Sequence, residues 1–222
     1  MIDPSSAGSN MLTRDCPIVA GKTALLVIDV QYYIAAAGYG EYAHIDPNNI
    51  DDDLVYFFDR IDNNIVKNTA TIQKACRLKG IEVLFTVVEN MTLDGRDRSL
   101  DYKISKFSVP KGTKGAKVLT PIAPVGDEMV FPKTTSSVFN STTIDYVLRN
   151  MGIEHLIVTG MLTDQCVESS VRDACDKGYI VKVVEDACGT YSQQRHDSSL
   201  ALYKGYCHIS STEGILDYIE KA

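Results

Sequence analysis

The sequence predicts an α/β protein in which helices cover both faces of a mostly parallel, six-stranded sheet. Short apolar runs rich in Val, Ile and Leu alternate with segments whose apolar residues recur at helical spacing. Four of the junctions between a helix-like segment and the next apolar run carry a glycine, at Gly80, Gly152, Gly178 and Gly205. A glycine just past a helix supplies the left-handed residue that ends it. Repeated helix-to-strand alternation is typical of a Rossmann-like, three-layer α/β/α fold.

The six predicted strands are apolar runs, which fits strands buried on both faces. In chain order they are Ala24–Val30, Glu82–Val88, Glu128–Phe131, Leu156–Thr159, Ile180–Glu185 and a short one near Tyr206–Ile209. The predicted helices are Asp59–Leu78, Thr142–Met151, Gln165–Asp176, Gln194–Tyr203 and Thr212–Glu220. In the third helix, Val171, Ala174 and Cys175 repeat at helical spacing and predict a core-facing stripe. Cys175 is therefore predicted to be a packing residue.

The chain is predicted to form one domain over residues 21–222, preceded by a loose, polar N-terminal arm over residues 1–20. The arm lacks the basic-then-apolar pattern of a secretory signal. Two long segments, Tyr32–Phe58 and Met91–Ala123, interrupt the regular alternation. Segments of this length are either binding loops over a site or loops that pack against a neighbouring subunit, and both interpretations remain open.

Composition narrows the class of protein. The net charge of −7 argues against a nucleic-acid partner or an anionic membrane, each of which favours a basic surface. No apolar run approaches the roughly 20 residues that span a bilayer. The six cysteines form no C-x-x-C pair, which indicates a reducing, cytoplasmic compartment. The four histidines have no metal-binding spacing, so neither a metal nor a cofactor is expected.

Cys166 is the first candidate for chemistry. The apolar run Leu156–Thr159 stops at Gly160, and Cys166 follows where the next helix is predicted to begin. Unpaired backbone N–H groups and the positive end of the helix dipole favour a thiolate there, so the sequence predicts a lowered thiol pKa. A cysteine in this setting is suited to act as a nucleophile, with amides nearby to bind an oxyanion.

Asp29 and Lys133 are the second and third candidates, because each closes an apolar run. A carboxylate at the end of a buried strand costs several kcal/mol unless it is paired. Taken alone, Asp29 is also suited to cap a turn and Lys133 to lie on the surface. Ligands of open α/β sheets bind at the carboxyl ends of the strands, however. Together with Cys166, the two residues predict a nucleophile, a proton shuttle and a cation in one crevice.

Three motifs resemble those of the isochorismatase-like cysteine hydrolases. They are Leu25-Leu26-Val27-Ile28-Asp29-Val30-Gln31, Phe131-Pro132-Lys133 with the following Ser137 and Phe139, and the segment from Val158 through Gly160 and Cys166 to Val167. The resemblance covers nearly all of the chain from Lys22 onward. This family includes nicotinamidases, carbamoylsarcosine amidases, ureidoacrylate amidohydrolases and biuret hydrolases.

The resemblance implies a catalytic triad of Asp29, Lys133 and Cys166. It implies that Asp29 deprotonates Cys166, that Lys133 orients Asp29, and that the thiolate attacks a carbonyl carbon to give a thioester. It also implies a cis peptide bond between Met161 and Leu162, with the amides of Leu162 and Cys166 forming the oxyanion hole. The family's habit of pairing subunits implies a homodimer or homotetramer.

Differences between this sequence and the motifs of individual subfamilies narrow the range of expected substrates. The chain lacks Trp and the metal-binding Asp-x-His of nicotinamidases, and the presence of Cys166 favours amide over vinyl-ether cleavage. The phrase from Cys166 to Asp173 is similar to the ureidoacrylate and biuret branch. The predicted function is thus hydrolysis of a C–N bond in a small amide or ureide. An isochorismatase-type vinyl-ether hydrolase, a catalytically silent binding protein and a thiol redox sensor remain alternatives. The predicted substrate-binding residues are Gln31, Tyr32, Phe139, Asn140 and Gln165.

Overall fold

The computed structural model describes residues 13–222, apart from the side chain of Asp53, and contains one parallel sheet. Its strands are β1 (Thr23–Ile28), β2 (Glu82–Val88), β3 (Val130–Lys133), β4 (His155–Met161), β5 (Ile180–Gly189) and β6 (His208–Ser210). Their order is β3-β2-β1-β4-β5-β6, and every neighbouring pair is parallel. The chain runs outward from β1 to β3 and then returns to β4, so the strand order reverses between β1 and β4. The predicted six-stranded α/β fold is confirmed.

The helices lie on both faces of this sheet. They are α1 (Tyr32–Ala35), α2 (Asp52–Arg60), α3 (Lys67–Leu78), α4 (Leu100–Ile104), α5 (Ile144–Asn150), α6 (Glu168–Asp176), α7 (Gln193–Tyr203) and α8 (Thr212–Glu220). Two π-helical turns, Ile61–Val66 and Thr163–Val167, lead into α3 and α6. Short 3-10 turns cover Ala20–Lys22, Gly40–Tyr42, Lys114–Ala116, Thr120–Ile122 and Val138–Asn140. None of the helices in residues 13–222 has both the length and the apolar character needed to cross a bilayer.

The central strand β1 supplies both halves of the core. Leu25 and Val27 pack with the helices α2, α3 and α8 on one face. Leu26 and Ile28 pack with α5, α6 and α7 on the other face. Successive side chains of a strand point to opposite faces, so a strand covered on both sides must be apolar throughout. This explains why the strands appear in the sequence as uninterrupted apolar runs.

The structure shifts the boundaries of several predicted elements. β1 ends at Ile28 rather than Val30, because Asp29 adopts a left-handed backbone conformation with φ of 54°. β3 covers Val130–Lys133, two residues later than predicted, so Lys133 belongs to the strand itself. The helical stretch predicted to start at Asp59 already begins at Asp52. Its first turns bury Phe57 and Phe58 against Tyr42, a contact that the local sequence does not reveal.

Residues 13–20 of the predicted arm lie against the domain. The side chain of Ile18 is buried in the core, and the Arg14 guanidinium donates a hydrogen bond of 2.9 Å to the carbonyl of Tyr206. The Tyr218 hydroxyl is hydrogen-bonded to the Asp15 carboxylate. Residues 1–12 of the predicted arm lie outside the described residues.

Candidate active site

The site lies at the carboxyl ends of β1 and β4, where the two strands approach each other closely. A Cβ atom on Gly160 would lie 2.1 Å from the carbonyl oxygen of Ile28, and Gly160 has φ of 122°. Both observations require a glycine at this position. The close approach brings the turn after β4 beside Asp29, at the reversal of strand order where α/β sheets bind ligands.

Asp29 and Lys133 form a fully buried ion pair across the ends of β1, β2 and β3. The Lys133 ammonium lies 2.7 Å from Oδ2 of Asp29, and both side chains are 0% exposed. The Thr86 hydroxyl donates a 2.6 Å hydrogen bond to Oδ1 of Asp29. Burying either charge alone would cost several kcal/mol, so each ion depends on the other for its place in the core.

Cys166 lies in the π-helical turn after β4 and completes the cluster. Its Sγ atom is 3.3 Å from the Lys133 Nζ atom, which also donates a 2.9 Å hydrogen bond to the carbonyl of Thr135. The hydroxyl of Tyr102 lies 3.9 Å from the same sulfur atom. The structure therefore brings together the three residues that the sequence singled out, and adds Tyr102.

The predicted lowering of the Cys166 pKa is wrong. Burial raises the pKa of the thiol from 9.0 to about 12; the Lys133 ammonium lowers it, while the Asp29 carboxylate raises it. The position near the start of a helix does not outweigh the burial of the sulfur. For Lys133, burial lowers the pKa, but the neighbouring Asp29 carboxylate offsets this and the net pKa is raised. At neutral pH the resting site thus holds a neutral thiol beside an ammonium–carboxylate pair.

Leu162 and Cys166 place their backbone amides at the same turn. The peptide bond between Met161 and Leu162 is cis. The Leu162 carbonyl accepts hydrogen bonds from the amides of Gln165 and Val167, at 3.0 and 3.2 Å. The Leu162 N–H group has no hydrogen-bond acceptor within residues 13–222. Both Leu162 and Cys166 line the adjoining cavity, where such amides are suited to bind an anionic oxygen.

A cavity of about 660 Å³ opens onto Cys166. This is a typical volume for a small-molecule site. Half of its lining residues come from the two long segments that interrupt the fold, which supports the binding-loop interpretation of both. The lining residues are Tyr33, Ile34, Glu41, Val88, Asp101, Tyr102, Ser105, Lys106, Phe107, Ser136, Leu162, Asp164, Gln165, Cys166, Ser169 and Tyr191. Asp29 and Lys133 lie behind Cys166 and do not line the cavity.

Of the five predicted substrate-binding residues, only Gln165 lines this cavity. The structure corrects the role of Gln31, whose amide is saturated by backbone groups. Its Nε2 atom donates to the carbonyls of Val88 and Gly115 at 2.9 and 3.0 Å, and its Oε1 atom accepts from the Val88 amide at 2.6 Å. Gln31 therefore ties the end of β1 to β2 and to the loop before β3.

Three further predicted substrate contacts also lie outside the cavity lining. The hydroxyl of Tyr32 bonds to that of Thr120 at 2.7 Å. Phe139 is buried in the core, with its ring centroid 5.9 Å from that of Tyr179. Asn140 is exposed and is not among the lining residues. Because none of these three side chains lines the cavity, the structure does not support their predicted contact with a substrate.

His196, which the sequence left without a role, supports the turn that carries Cys166. Its Nδ1 atom lies 2.8 Å from the hydroxyl of Thr163 and its Nε2 atom 3.3 Å from the Arg60 guanidinium. Arginine can only donate, so Nε2 accepts and Nδ1 carries the proton. Burial, together with the nearby Arg60 charge, lowers the pKa of His196 to about 4. The neutral imidazole thus fixes the first residue of the turn.

The residues that sequence reasoning missed are the aromatic side chains over the site. The rings of Tyr102 and Phe107 meet edge to face at 5.1 Å, and Tyr33 packs edge to face on Phe107 at 5.4 Å. They come from polar segments without a recognisable motif, so only the length of those segments indicated a binding role. Across residues 13–222, no three His, Cys, Asp or Glu side chains are grouped as metal ligands.

The fold and the site define a doubly wound α/β protein with a cysteine, a lysine and an aspartate at its topological switch point. The family model of the isochorismatase domain matches residues 23–214, so the chain belongs to the isochorismatase family. Its known relatives identify it as a hydrolase of that family.

Individual relatives agree with this assignment. The uncharacterized isochorismatase family protein YddQ of Bacillus subtilis is 31% identical, over 50% of this chain and 62% of that protein. The match therefore spans less than two thirds of YddQ. The ureidoacrylate amidohydrolase RutB of Pantoea ananatis is 27% identical, over 83% of this chain and 77% of RutB. The crystal structure of a cysteine hydrolase from Pseudomonas syringae superposes with a TM-score of 0.78 at 21% identity, covering 93% of this chain and 96% of that one.

Proposed function

We propose that the protein hydrolyses a C–N bond of a small amide or ureide through a thioester on Cys166. The observation that carries the proposal is the position of the Cys166 sulfur. It lines the cavity, while the Lys133 ammonium at 3.3 Å and the Asp29 carboxylate lie behind it. A thiol with a base and a cation on one side and a cavity on the other is the arrangement that nucleophilic catalysis needs.

The reaction begins with proton transfer from Cys166 to Asp29. The resting thiol is protonated, so a base has to accept its proton as the sulfur attacks the carbonyl carbon. The Lys133 ammonium stabilises the thiolate and holds the carboxylate in place. The carbonyl oxygen becomes an oxyanion, which the amides of Leu162 and Cys166 are positioned to bind.

Collapse of the tetrahedral intermediate breaks the C–N bond. The proton held by Asp29 passes to the departing nitrogen, which leaves as ammonia or an amine, and an acyl thioester remains on Cys166. Water then attacks the thioester carbonyl while Asp29 accepts one of its protons. The acid or carbamate leaves, and the proton returns to the sulfur. The cycle consumes one water and needs no oxidant or reductant.

Cleavage of an amide is favoured over cleavage of a vinyl ether. A vinyl-ether hydrolase of the isochorismatase type has no use for a cysteine nucleophile, whereas this cavity ends at the Cys166 sulfur. The relative RutB carries the name ureidoacrylate amidohydrolase, which supports an amide or ureide substrate. We further propose that the protein acts in the cytoplasm, without a metal or cofactor, as a homodimer or homotetramer.

The test is ammonia or amine release from a panel of amides and ureides. Cys166→Ala should abolish release, and Cys175→Ala should leave it nearly intact, because Cys175 donates to the carbonyl of Tyr206 away from the cavity. Mass spectrometry of the wild-type protein, quenched in acid during turnover and then digested, should detect an acyl adduct on the peptide that contains Cys166. Equal release by wild type and Cys166→Ala would contradict the proposal.

A further inference from the structure

The charges on the cavity wall distinguish between possible substrates. We propose that the substrate carries no carboxylate and is a neutral or cationic amide or ureide, with Glu41 as the residue that sets this preference. This inference rests on the proposed function, since it concerns the substrate of the same site. It excludes substrates that carry a carboxylate.

Of the described residues that line the cavity, only Lys106 carries a positive charge, and it is exposed. Around Cys166 the wall is formed by the neutral side chains of Tyr102, Ser136, Leu162, Gln165 and Ser169. The Lys133 ammonium is 0% exposed and is already paired with Asp29. A carboxylate on a substrate bound here would lose water without gaining a partner, which is unfavourable.

Glu41 adds a fixed negative charge to the same cavity. Its carboxylate has no cation within salt-bridge distance in the part of the chain that the structure describes. Desolvation raises the pKa of Glu41, and no positive group counteracts this effect. Two aromatic residues, Tyr33 and Tyr191, line the cavity with it. A carboxylate beside aromatic rings is suited to an ammonium, an amidinium or the N–H groups of a urea.

The other charged residues of the wall are one ion-paired carboxylate and two exposed side chains. Asp164 is paired with the guanidinium of Arg195 and accepts a 2.6 Å hydrogen bond from Thr190. Glu41, Asp101 and Lys106 are all exposed, so these three lining residues contribute two carboxylates and one ammonium. The described lining therefore carries one negative charge in excess, which repels an anion inside the cavity, and Glu41 is the carboxylate that lies in it beside two aromatic rings.

The experiment uses three ureas that share one scissile group and differ in the charge at the end of the chain. They are 3-ureidopropionate (anionic), propylurea (neutral) and 2-aminoethylurea (cationic). We expect kcat/KM for ammonia release by the wild-type protein to be at least about tenfold lower for the anionic urea than for the other two. Glu41→Gln should reduce this difference to within about twofold, and Glu41→Asp should retain it. Glu213→Gln removes an equal charge from the exposed start of α8 and should leave the difference unchanged.

Binding to Cys166→Ala, measured by calorimetry with the same three ureas, separates the inference from the proposed function. Weaker binding of the anionic urea supports the inference even if the wild-type protein releases no ammonia, a result that would overturn only the proposed function. Tighter binding of the anionic urea, no measurable binding of any of the three, or a difference that persists in Glu41→Gln would overturn the inference.

Discussion

Replacing Asp29 with Asn should have opposite effects on two properties of Cys166. The Asp29 carboxylate raises the pKa of the Cys166 thiol, whereas the Lys133 ammonium lowers it. Asn keeps the shape of the side chain and removes its negative charge, so the ammonium alone then acts on the sulfur. We expect alkylation of Cys166 at pH 7 to become faster. Amide hydrolysis should nevertheless be lost, because the base that accepts the thiol proton is gone.

The size of the change in alkylation rate follows from the pKa of the Cys166 thiol. A rise from 9.0 to about 12 lowers the thiolate fraction at pH 7 about a thousandfold. A more basic thiolate is also a better nucleophile, by a factor of about 20 over this interval. Alkylation of Cys166 in the folded wild type should therefore be about 50-fold slower than in the unfolded chain. Each unit by which Asp29→Asn lowers the pKa should speed alkylation by about threefold.

The assay is alkylation by iodoacetamide, a neutral reagent, followed by mass spectrometry of the peptide that contains Cys166. In wild type the rate should rise steadily between pH 6 and pH 10, because the thiol is protonated throughout this range. Lys133→Met provides the opposite control and should slow alkylation, since it leaves only the carboxylate beside the sulfur. A wild-type rate that is already constant between pH 6 and pH 9 would refute the reasoning, because it would reveal a thiolate at rest.

Three further predictions concern residues that support the site. Gly160→Ala should cost about 3 kcal/mol or more of unfolding free energy in urea titrations, because the new Cβ meets the Ile28 carbonyl at 2.1 Å. Gly80→Ala, with a φ of 68° but open space around it, should cost only about 1–2 kcal/mol, and equal losses would contradict the steric argument. For His196 the folded-state pKa of about 4 lies below the ordinary 6.5, so only the unfolded chain takes up a proton as the pH falls between these values. Wild type should thus lose about 2 kcal/mol of unfolding free energy from pH 7 to pH 5 through His196. A loss of the same size in His196→Gln would contradict the assignment of this pH dependence to His196. Tyr102→Phe should slow both turnover and the alkylation of Cys166 by about tenfold. Burial raises the pKa of the Tyr102 hydroxyl, so the hydroxyl stays protonated and is positioned to donate a hydrogen bond to the Cys166 thiolate. Unchanged rates would exclude that contact.

Much of the fold is predictable because it depends on local pattern. The apolar runs of β1 and β4 and the glycines that end helices specify strands and helices through their own spacing. The boundaries that sequence reasoning missed are those set by distant contacts. Helix α2 forms where Phe57 and Phe58 meet Tyr42, and β1 stops where Asp29 turns toward Lys133.

The same distinction applies to the candidate site. By itself, the sequence determined that Asp29, Lys133 and Cys166 share one edge of the sheet, because parallel strands align their carboxyl ends. Only the tertiary structure decided that the thiol is protonated at rest and that Gln31 serves the backbone rather than a ligand. Burial, the distance between charges and the walls of a cavity depend on residues far apart in the chain, and no local pattern encodes them.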